Sequence, residues 1–332
     1  MTTPKRPGTF VVSLDFELYW GMTDAATLDA YGANIRGVRT AIPRMLDLFV
    51  RYGIHATWAT IGMLMARSKT ELLSLLPPPE RRPTYVDPRL SSYEYLKTAP
   101  VGEEESVDPY HFGSSLVERI KETPGQEIAN HTFSHYYCIE GNAHLVETLG
   151  ADLDAHARVS ALHGVRTRSI VFPRNQVSPE ALLVCAEHGI TAYRGTENHF
   201  LYRPRRDEEQ TLFVRALRLF DHYVDVSGYH TYPTPVRTSD LPVNVPASRF
   251  FRPWIRALSL LEPLRMRRIK NAMTHAAKRG EVFHLWWHPH NFGVNQDRNF
   301  KNLETILEHF ASLRKTYGME SHSMAEVAET AA

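Results

Sequence analysis

This chain has little of what most readily sorts proteins into classes. It carries 2 cysteines in 332 residues, too few for a disulfide framework. That usage fits a reducing compartment, and Cys138 and Cys185 are expected as small buried hydrophobes. Cys138 follows His135 closely enough to be weighed as a thiolate ligand. Neither sign of charge dominates: 38 Lys and Arg stand against 37 Asp and Glu, for a formal net charge of +1. No broad basic field marks a nucleic-acid binder, so nucleic acid is not expected as a partner. No segment approaches the ~18 uncharged apolar residues of a spanning helix. The opening MTTPKRPGTFVVSLDFELYW lacks the apolar core of a secretory signal and runs straight into a strand-like segment. The expected location is cytoplasmic. No G-x-G-x-x-G follows a strand, and Gly21 and Gly32 do not supply one, which disfavours a dinucleotide fold. There is no internal repeat, and nothing in the sequence speaks to oligomeric state.

What is present is an ordinary globular composition, 43% hydrophobic and 23% charged, with a length suited to one barrel-sized domain or two ordinary ones. Short apolar runs predict strands at 9–16, 55–61, 127–130, 169–172, 191–193 and 282–287. Helical spacing and capping signals predict helices at 41–52, stopping at Gly53, and at 113–122 and 143–162. Another opens at Ser178-Pro179 and ends at Gly189, and the last two lie at 302–317 and 323–329. Strand–helix alternation of this kind argues for an α/β fold with a parallel sheet, closed as a barrel or doubly wound. Two segments break the pattern. Residues 74–106 are rich in proline and read as a surface excursion; residues 197–280 are rich in arginine, aromatics and proline. Within the second, FFRPWIRALSLLEPLRMRRIK reads either as an interfacial helix making peripheral membrane contact or as a helix packed on the fold with a solvated basic edge. Pro263 interrupts the apolar stripe and favours the packed helix.

Four strand ends carry polar groups that chemistry could use. In TFVVSLDFELYWG, alternation puts Ser13, Asp15 and Glu17 on one face. Two carboxylates on an apolar strand either mark an exposed end or need buried partners. His131 and His135, spaced i, i+4 in HTFSH, would face the same way on a helical turn and hold one metal ion. In RSIVFPRNQ, Arg174 and Asn175 sit where they could bind a carboxylate or a substrate hydroxyl. In EVFHLWWHPHNFG, His284, Trp286 and His288 share a face; His284 is expected as a satisfied core histidine and His290 as a loop or rim residue. Ends of parallel barrel strands line active sites. Two imidazoles and a carboxylate would leave open positions on a metal, and a water held there would be acidified toward neutrality.

With these motifs in this order the chain resembles the polysaccharide deacetylase family, carbohydrate esterase family 4 with its NodB-homology domain. The resemblance runs from Thr9 to Glu329. HTFSH matches the family's H-[ST]-x-x-H without departure. The first motif, usually T-F-D-D-G-P, here reads SLDFELYW: Asp15 takes the position of the base, Phe16 stands at the usual ligand position, and Glu17 follows, as in branches with D-x-E. The R-x-P-Y motif keeps Pro173 but has Val171 for the arginine and Arg174 for the tyrosine. The family's late histidine corresponds to His288.

The resemblance implies one distorted (β/α) barrel of about seven strands over 1–332, with insertions at 67–110 and 197–280. It implies a metal-dependent amidohydrolase, an N-deacetylase of an amino sugar in polysaccharide or glycoconjugate biosynthesis, in which metal-bound water attacks the N-acyl carbonyl. Glu17, His131 and His135 would hold the metal, zinc or else cobalt, nickel or iron. Asp15 would be the base and His288 the acid. Arg174 would orient Asp15 and lend its N–H to the oxyanion. Asn175, Trp20 and Trp287, with Trp286, would contact a glycan or small-molecule substrate. The alternatives are hydrolysis of a non-sugar amide or cyclic ureide, as in the allantoinase-like branch, and a catalytically inactive binding barrel.

Overall fold

The run TFVVSLDF is apolar on one face throughout, and it becomes the strand around which the sheet is built. The computed structural model describes residues 6–140, 143–203 and 211–331. Its nine-stranded sheet comprises β1 (Thr9–Phe16), β2 (Ala56–Thr60), β3 (Gln126–Asn130), β4 (Ser169–Ile170) and β5 (Ala192–Tyr193), followed by β6 (Val243–Asn244), β7 (Arg249–Phe250), β8 (Val282–Trp287) and β9 (Glu320–His322). All pairings between these strands are parallel. The order β6-β5-β4-β3-β2-β1-β8-β7 winds in one direction, as in a barrel, rather than reversing as in a doubly wound sheet. Among the described residues no pairing joins β6 to β7, so the barrel is curled but open. β2 and β9 share one edge of β1: β9 pairs with Thr9–Val11 and β2 with Val12–Phe16.

The helices are α1 (Leu28–Tyr52), α2 (Gly62–Met65), α3 (Lys69–Leu75), α4 (Ser92–Thr98), α5 (Ser114–Glu122) and α6 (Leu145–Leu162). After them come α7 (Pro179–Glu187), α8 (Leu212–Asp221), α9 (Glu262–Arg279), α10 (Gln296–Tyr317) and α11 (Met324–Thr330). The even-numbered residues of β1, Phe10 to Phe16, join the main core with Phe49 of α1 and Phe310 of α10. The odd-numbered ones face the barrel interior. There Val11 packs with Val171, Ala192 and Val282, and α11 closes that end through Met324 and Val327. A capping box at Ser323 and Glu326 starts α11, a device worth ~1 kcal/mol. Along β1 the interior face therefore changes from apolar at Val11 to polar at Ser13 and Asp15. This gradient puts the polar groups at the C-terminal mouth.

The helix predicted over 41–52 begins earlier, at Leu28, where Thr27 caps it, and it carries Pro43 inside. Its glycines bring it close to a neighbouring loop. A Cβ on Gly37 would fall 2.0 Å from the Gly293 carbonyl oxygen.

The second excursion is more than a surface segment. It supplies β6 and β7 as well as α8 and α9; residues 204–210 within it lie outside the described residues. A buried Asp221 ties it together, 2.7 Å from Arg249 and 3.0 Å from Arg268. The basic segment is a packed helix: α9 buries Met266, Ile269, Ala272 and Met273. Among the described residues no helix is long and apolar enough to cross a membrane. The first excursion folds α4 back over the HTFSH segment, where Ser92 Oγ donates to the Ser134 carbonyl at 2.8 Å. Cys138 and Cys185 are buried together in an apolar cluster with Leu149 and Leu153, and Cys138 joins no set of metal donors among the described residues.

Candidate metal and acid–base site

Asp15 ends the interior face of β1, and Glu17 follows one residue past the strand. Both are buried, so both need partners. Asp15 finds one in Arg194, immediately after β5. The pair is bidentate, with Nη1 to Oδ1 at 2.6 Å and Nη2 to Oδ2 at 2.7 Å. Arg194 is itself held on all sides. It donates to Ser13 Oγ at 3.0 Å, and its Nε and Nη2 donate to Asn175 Oδ1 at 3.2 and 2.9 Å. Its guanidinium carbon lies 4.1 Å from the centre of the Trp286 ring. Burial pushes the Asp15 pKa up, but Arg194 outweighs it and holds the carboxyl below its ordinary range.

Glu17 sits among four imidazoles. Its Oε1 lies 3.0 Å from His131 Nε2, 3.4 Å from His135 Nε2 and 3.5 Å from His288 Nε2; Oε2 lies 3.5 Å from His290 Nε2. Burial again raises the carboxyl pKa, and the surrounding imidazoles bring it well below the usual value. The space for this carboxylate depends on Gly21, since a Cβ there would fall 2.3 Å from Glu17 Oε2.

His131 and His135 do converge, with ring centroids 5.4 Å apart, but not on a helical turn. HTFSH is a loop in which Thr132 and His135 take left-handed conformations, φ 62° and 58°. The loop is held by side chains instead of a helical ladder. Asp152 of α6 accepts from the Phe133 and Ser134 amides at 2.5 and 3.2 Å, and Asn130 Oδ1 accepts from the Thr132 amide at 2.6 Å. Local side-chain bonds of this kind compete successfully with a helix. Burial of Asp152 raises its pKa to about 6. His131 Nδ1 lies 2.7 Å from the Val171 carbonyl, which orients Nε2 toward Glu17.

His288 follows β8. Burial disfavours its charged form, but Glu17 and Asp15 more than compensate and its pKa lies above the ordinary value. Its Nε2 is 3.8 Å from Asp15 Oδ2. His290, expected at the rim, is instead buried. The Tyr31 hydroxyl lies 2.9 Å from His290 Nδ1, and Asn34 Nδ2 donates to the His290 carbonyl at 3.3 Å. The tight approach of α1 at Gly37 is what draws this loop inward. His284 is a core histidine, 2.8 Å from Ser13 Oγ and 3.1 Å from the Val245 carbonyl; burial lowers its pKa to about 3.

Three other residues lie elsewhere than expected. Arg174 does not orient Asp15: its guanidinium pairs with Asp24, lies 3.6 Å from Glu140 and covers the Tyr137 ring. The cause is the turn at Pro173–Asn175, where Arg174 and Asn175 both have φ 53°, so that Arg174 leans to the rim while Asn175 reaches Arg194. Trp20 does not form a sugar rim. It is in the core against Tyr95 and His111, with Nε1 donating to the His111 carbonyl at 2.7 Å. Trp287 is core as well, against Phe251 and Phe292. Alternation along β8 turns Trp286, not Trp287, to the interior. The cavity over the site has a volume of about 410 Å³, and Asp15, Glu17, Tyr137, Phe250, Trp286 and His288 are among its lining residues.

Two sets of three donors each have atoms within 4.8 Å of one another: Glu17, His131 and His135, and Glu17, His288 and His290. The first set fits a divalent ion. It offers two nitrogens and one carboxylate, and the outer nitrogen of His131 is fixed by a carbonyl, as is usual for ligating imidazoles.

A family model described as polysaccharide deacetylase matches residues 27–193. That span includes His131, His135 and Asn175; Asp15, Glu17, Arg194 and His288 lie outside it. Among solved structures, the chain is similar to a candidate polysaccharide deacetylase from Mycobacterium smegmatis, with 13% identity, 100% of this chain and 92% of that chain covered, and a TM-score of 0.59. A candidate polysaccharide deacetylase from Pseudomonas aeruginosa PAO1 shows 12% identity, coverage of 97% and 89%, and a TM-score of 0.53. A 4-alpha-glucanotransferase from Thermococcus litoralis shows 12% identity, coverage of 98% of this chain but 40% of that chain, and a TM-score of 0.54. At these identities the likeness is one of fold. No curated protein matches the sequence.

Proposed function

The chain belongs to the polysaccharide deacetylase family, hydrolases of carbon–nitrogen bonds other than peptide bonds, and we propose that it is a metal-dependent N-deacetylase of an amino sugar. The observation that carries this reading is the pairing of two buried carboxylates with opposite surroundings: Asp15 clamped by an arginine, Glu17 ringed by imidazole nitrogens.

Glu17, His131 and His135 are the residues that would hold the ion, zinc or another divalent metal suited to two nitrogens and an oxygen. Such an ion supplies Lewis acidity that polarises an acyl carbonyl and acidifies water. Asp15 takes the water proton on a carboxylate oxygen. Arg194 keeps that carboxylate ionised and fixed in angle before the reaction, and Asn175 and Trp286 fix Arg194 in turn. The backbone N–H of Arg174 donates to the developing oxyanion. His288 gives its Nε2 proton to the departing amine; its proximity to both carboxylates favours the protonated form. Trp286 and Phe250 give the sugar ring an apolar wall.

The test is acetate release from a panel of N-acetyl amino sugars, small amides and cyclic ureides, with Asp15→Asn beside the wild type. Release from amino sugars, abolished in Asp15→Asn with the metal still bound, is the expected result. A fully active Asp15→Asn, or turnover of the non-sugar substrates alone, contradicts the proposal.

A further inference from the structure

Beside the site lies a second cavity, about 260 Å³ in volume, that shares Arg174, Asn175, Phe250, Trp286 and His288 with the first as a common wall. Its far side is basic. Arg203, Arg218 of α8 and Arg252 after β7 line it. Glu197 is the acidic group there, and the rim pair formed by Arg174 is already balanced by Asp24 and Glu140. Arg252 is the telling residue. It is half-buried, its Nε is enclosed without a hydrogen bond, and it makes no ion pair among the described residues. Burial disfavours its charge; Tyr223 and Tyr202 act the other way and Arg265 adds to the penalty, and the balance leaves its pKa below the ordinary value. His222 is pressed the same way by burial, Arg249 and Arg252, so it adds a neutral donor rather than a counter-charge. A half-buried guanidinium with no anion beside it is poorly compensated. A neutral glycan lying here would leave Arg252 without a counter-charge, whereas a phosphate would supply one and meet the other arginines that line the cavity.

We propose that this annex binds the phosphate or diphosphate on the anomeric carbon of the amino sugar, so that the substrate is a glycosyl phosphate ester rather than a neutral polymer. This rests on the deacetylase reading of the adjoining site. The geometry is consistent: His288 stands on the shared wall, with the acyl group on the Glu17 side and the anionic substituent on the Arg252 side. The ester's carrier is a nucleoside or a polyprenyl lipid, and the two are separate arms of the test below. The helix that supplies Arg218 also exposes Phe213 and Phe220, at 71% and 52%, which makes the lipid arm worth including.

Two measurements test it. Calorimetric titration with inorganic pyrophosphate and with UDP should show binding that weakens at least tenfold in Arg252→Ala, recovers partly in Arg252→Lys, and persists in His135→Ala. The exposed Arg203→Ala serves as a second variant should Arg252→Ala fold poorly, with a smaller loss expected. Equal affinity in wild type and these arginine variants, or loss in His135→Ala alone, overturns the proposal. Acetate release is then compared for UDP-N-acetylglucosamine, farnesyl-diphosphate-linked N-acetylglucosamine, N-acetylglucosamine 1-phosphate, an uronate-containing oligosaccharide and neutral chitotetraose. Preference for either diphosphate ester supports the proposal and identifies the carrier. Preference for the uronate or the neutral oligomer overturns it while leaving the deacetylase reading intact. Retained anion binding with no acetate from any substrate contradicts the deacetylase reading instead.

Discussion

Arg194 grips Asp15 through both terminal nitrogens, at 2.6 and 2.7 Å, with the side chain of each residue buried. The arginine that pairs with Asp15 thus comes from the residue after β5, not from the Pro173-Arg174 segment that the resemblance implies. Arg194→Ala would leave a buried carboxylate unpaired, at a cost of about 3–5 kcal/mol. We expect that loss by chemical denaturation, together with at least a hundredfold fall in kcat and unchanged metal content. Arg194→Lys should not rescue turnover, because a lysine cannot reproduce the fork.

Gly21→Ala tests the space around Glu17. The added methyl would strike the carboxylate, whose Oε2 lies 2.3 Å from the Cβ position. Metal affinity should fall at least tenfold in a competitive chelator titration while the fold is retained. An unchanged affinity would show that Glu17 does not need its present position.

Asp152 is the post that holds the HTFSH loop. Asp152→Ala strands the Phe133 and Ser134 amides, which should cost ~3 kcal/mol and loosen the metal. Asp152→Asn keeps an acceptor oxygen and should cost less than Asp152→Ala on both measures, read by denaturation and metal titration.

Much of this site was legible because its parts are strand ends. The alternation of TFVVSLDFE places Asp15 and Glu17 together, and the alternation of VFHLWWH separates Trp286 from Trp287, which turns Trp287 away from the substrate contact expected of it. What could not be read was long-range. Arg194 follows β5, which the sequence does predict within 191–193, but a strand of two residues has no period to show which way the next side chain faces. β6 and β7 are equally short and lie among prolines. His290 looked peripheral because nothing local shows that α1 draws its loop inward at Gly37. HTFSH had a helical spacing, but Asp152, which stabilises the loop instead, is distant in sequence and unmarked by any motif.

The Asp221 cluster makes a pH prediction. Burial raises the Asp221 pKa, but the Tyr202 hydroxyl and the Arg249 charge more than offset it, leaving the carboxyl well below its ordinary value. A depressed native pKa stabilises the fold above the unfolded value of about 3.9, and that contribution is lost as pH falls through the native pKa. Asp221→Asn should therefore be less stable than wild type by ~3 kcal/mol at pH 6. Denaturation curves should show the gap narrowing below about pH 4.

Glu17, His131 and His135 are the residues that would hold a divalent metal. Metal-to-protein stoichiometry, measured on wild type, His131→Ala and His290→Ala after loading with zinc or cobalt, tests this assignment most directly. About one ion per chain is expected in the wild type, none in His131→Ala, and one still in His290→Ala. An absence of bound metal in the wild type, or an ion kept by His131→Ala and lost from His290→Ala, would contradict it.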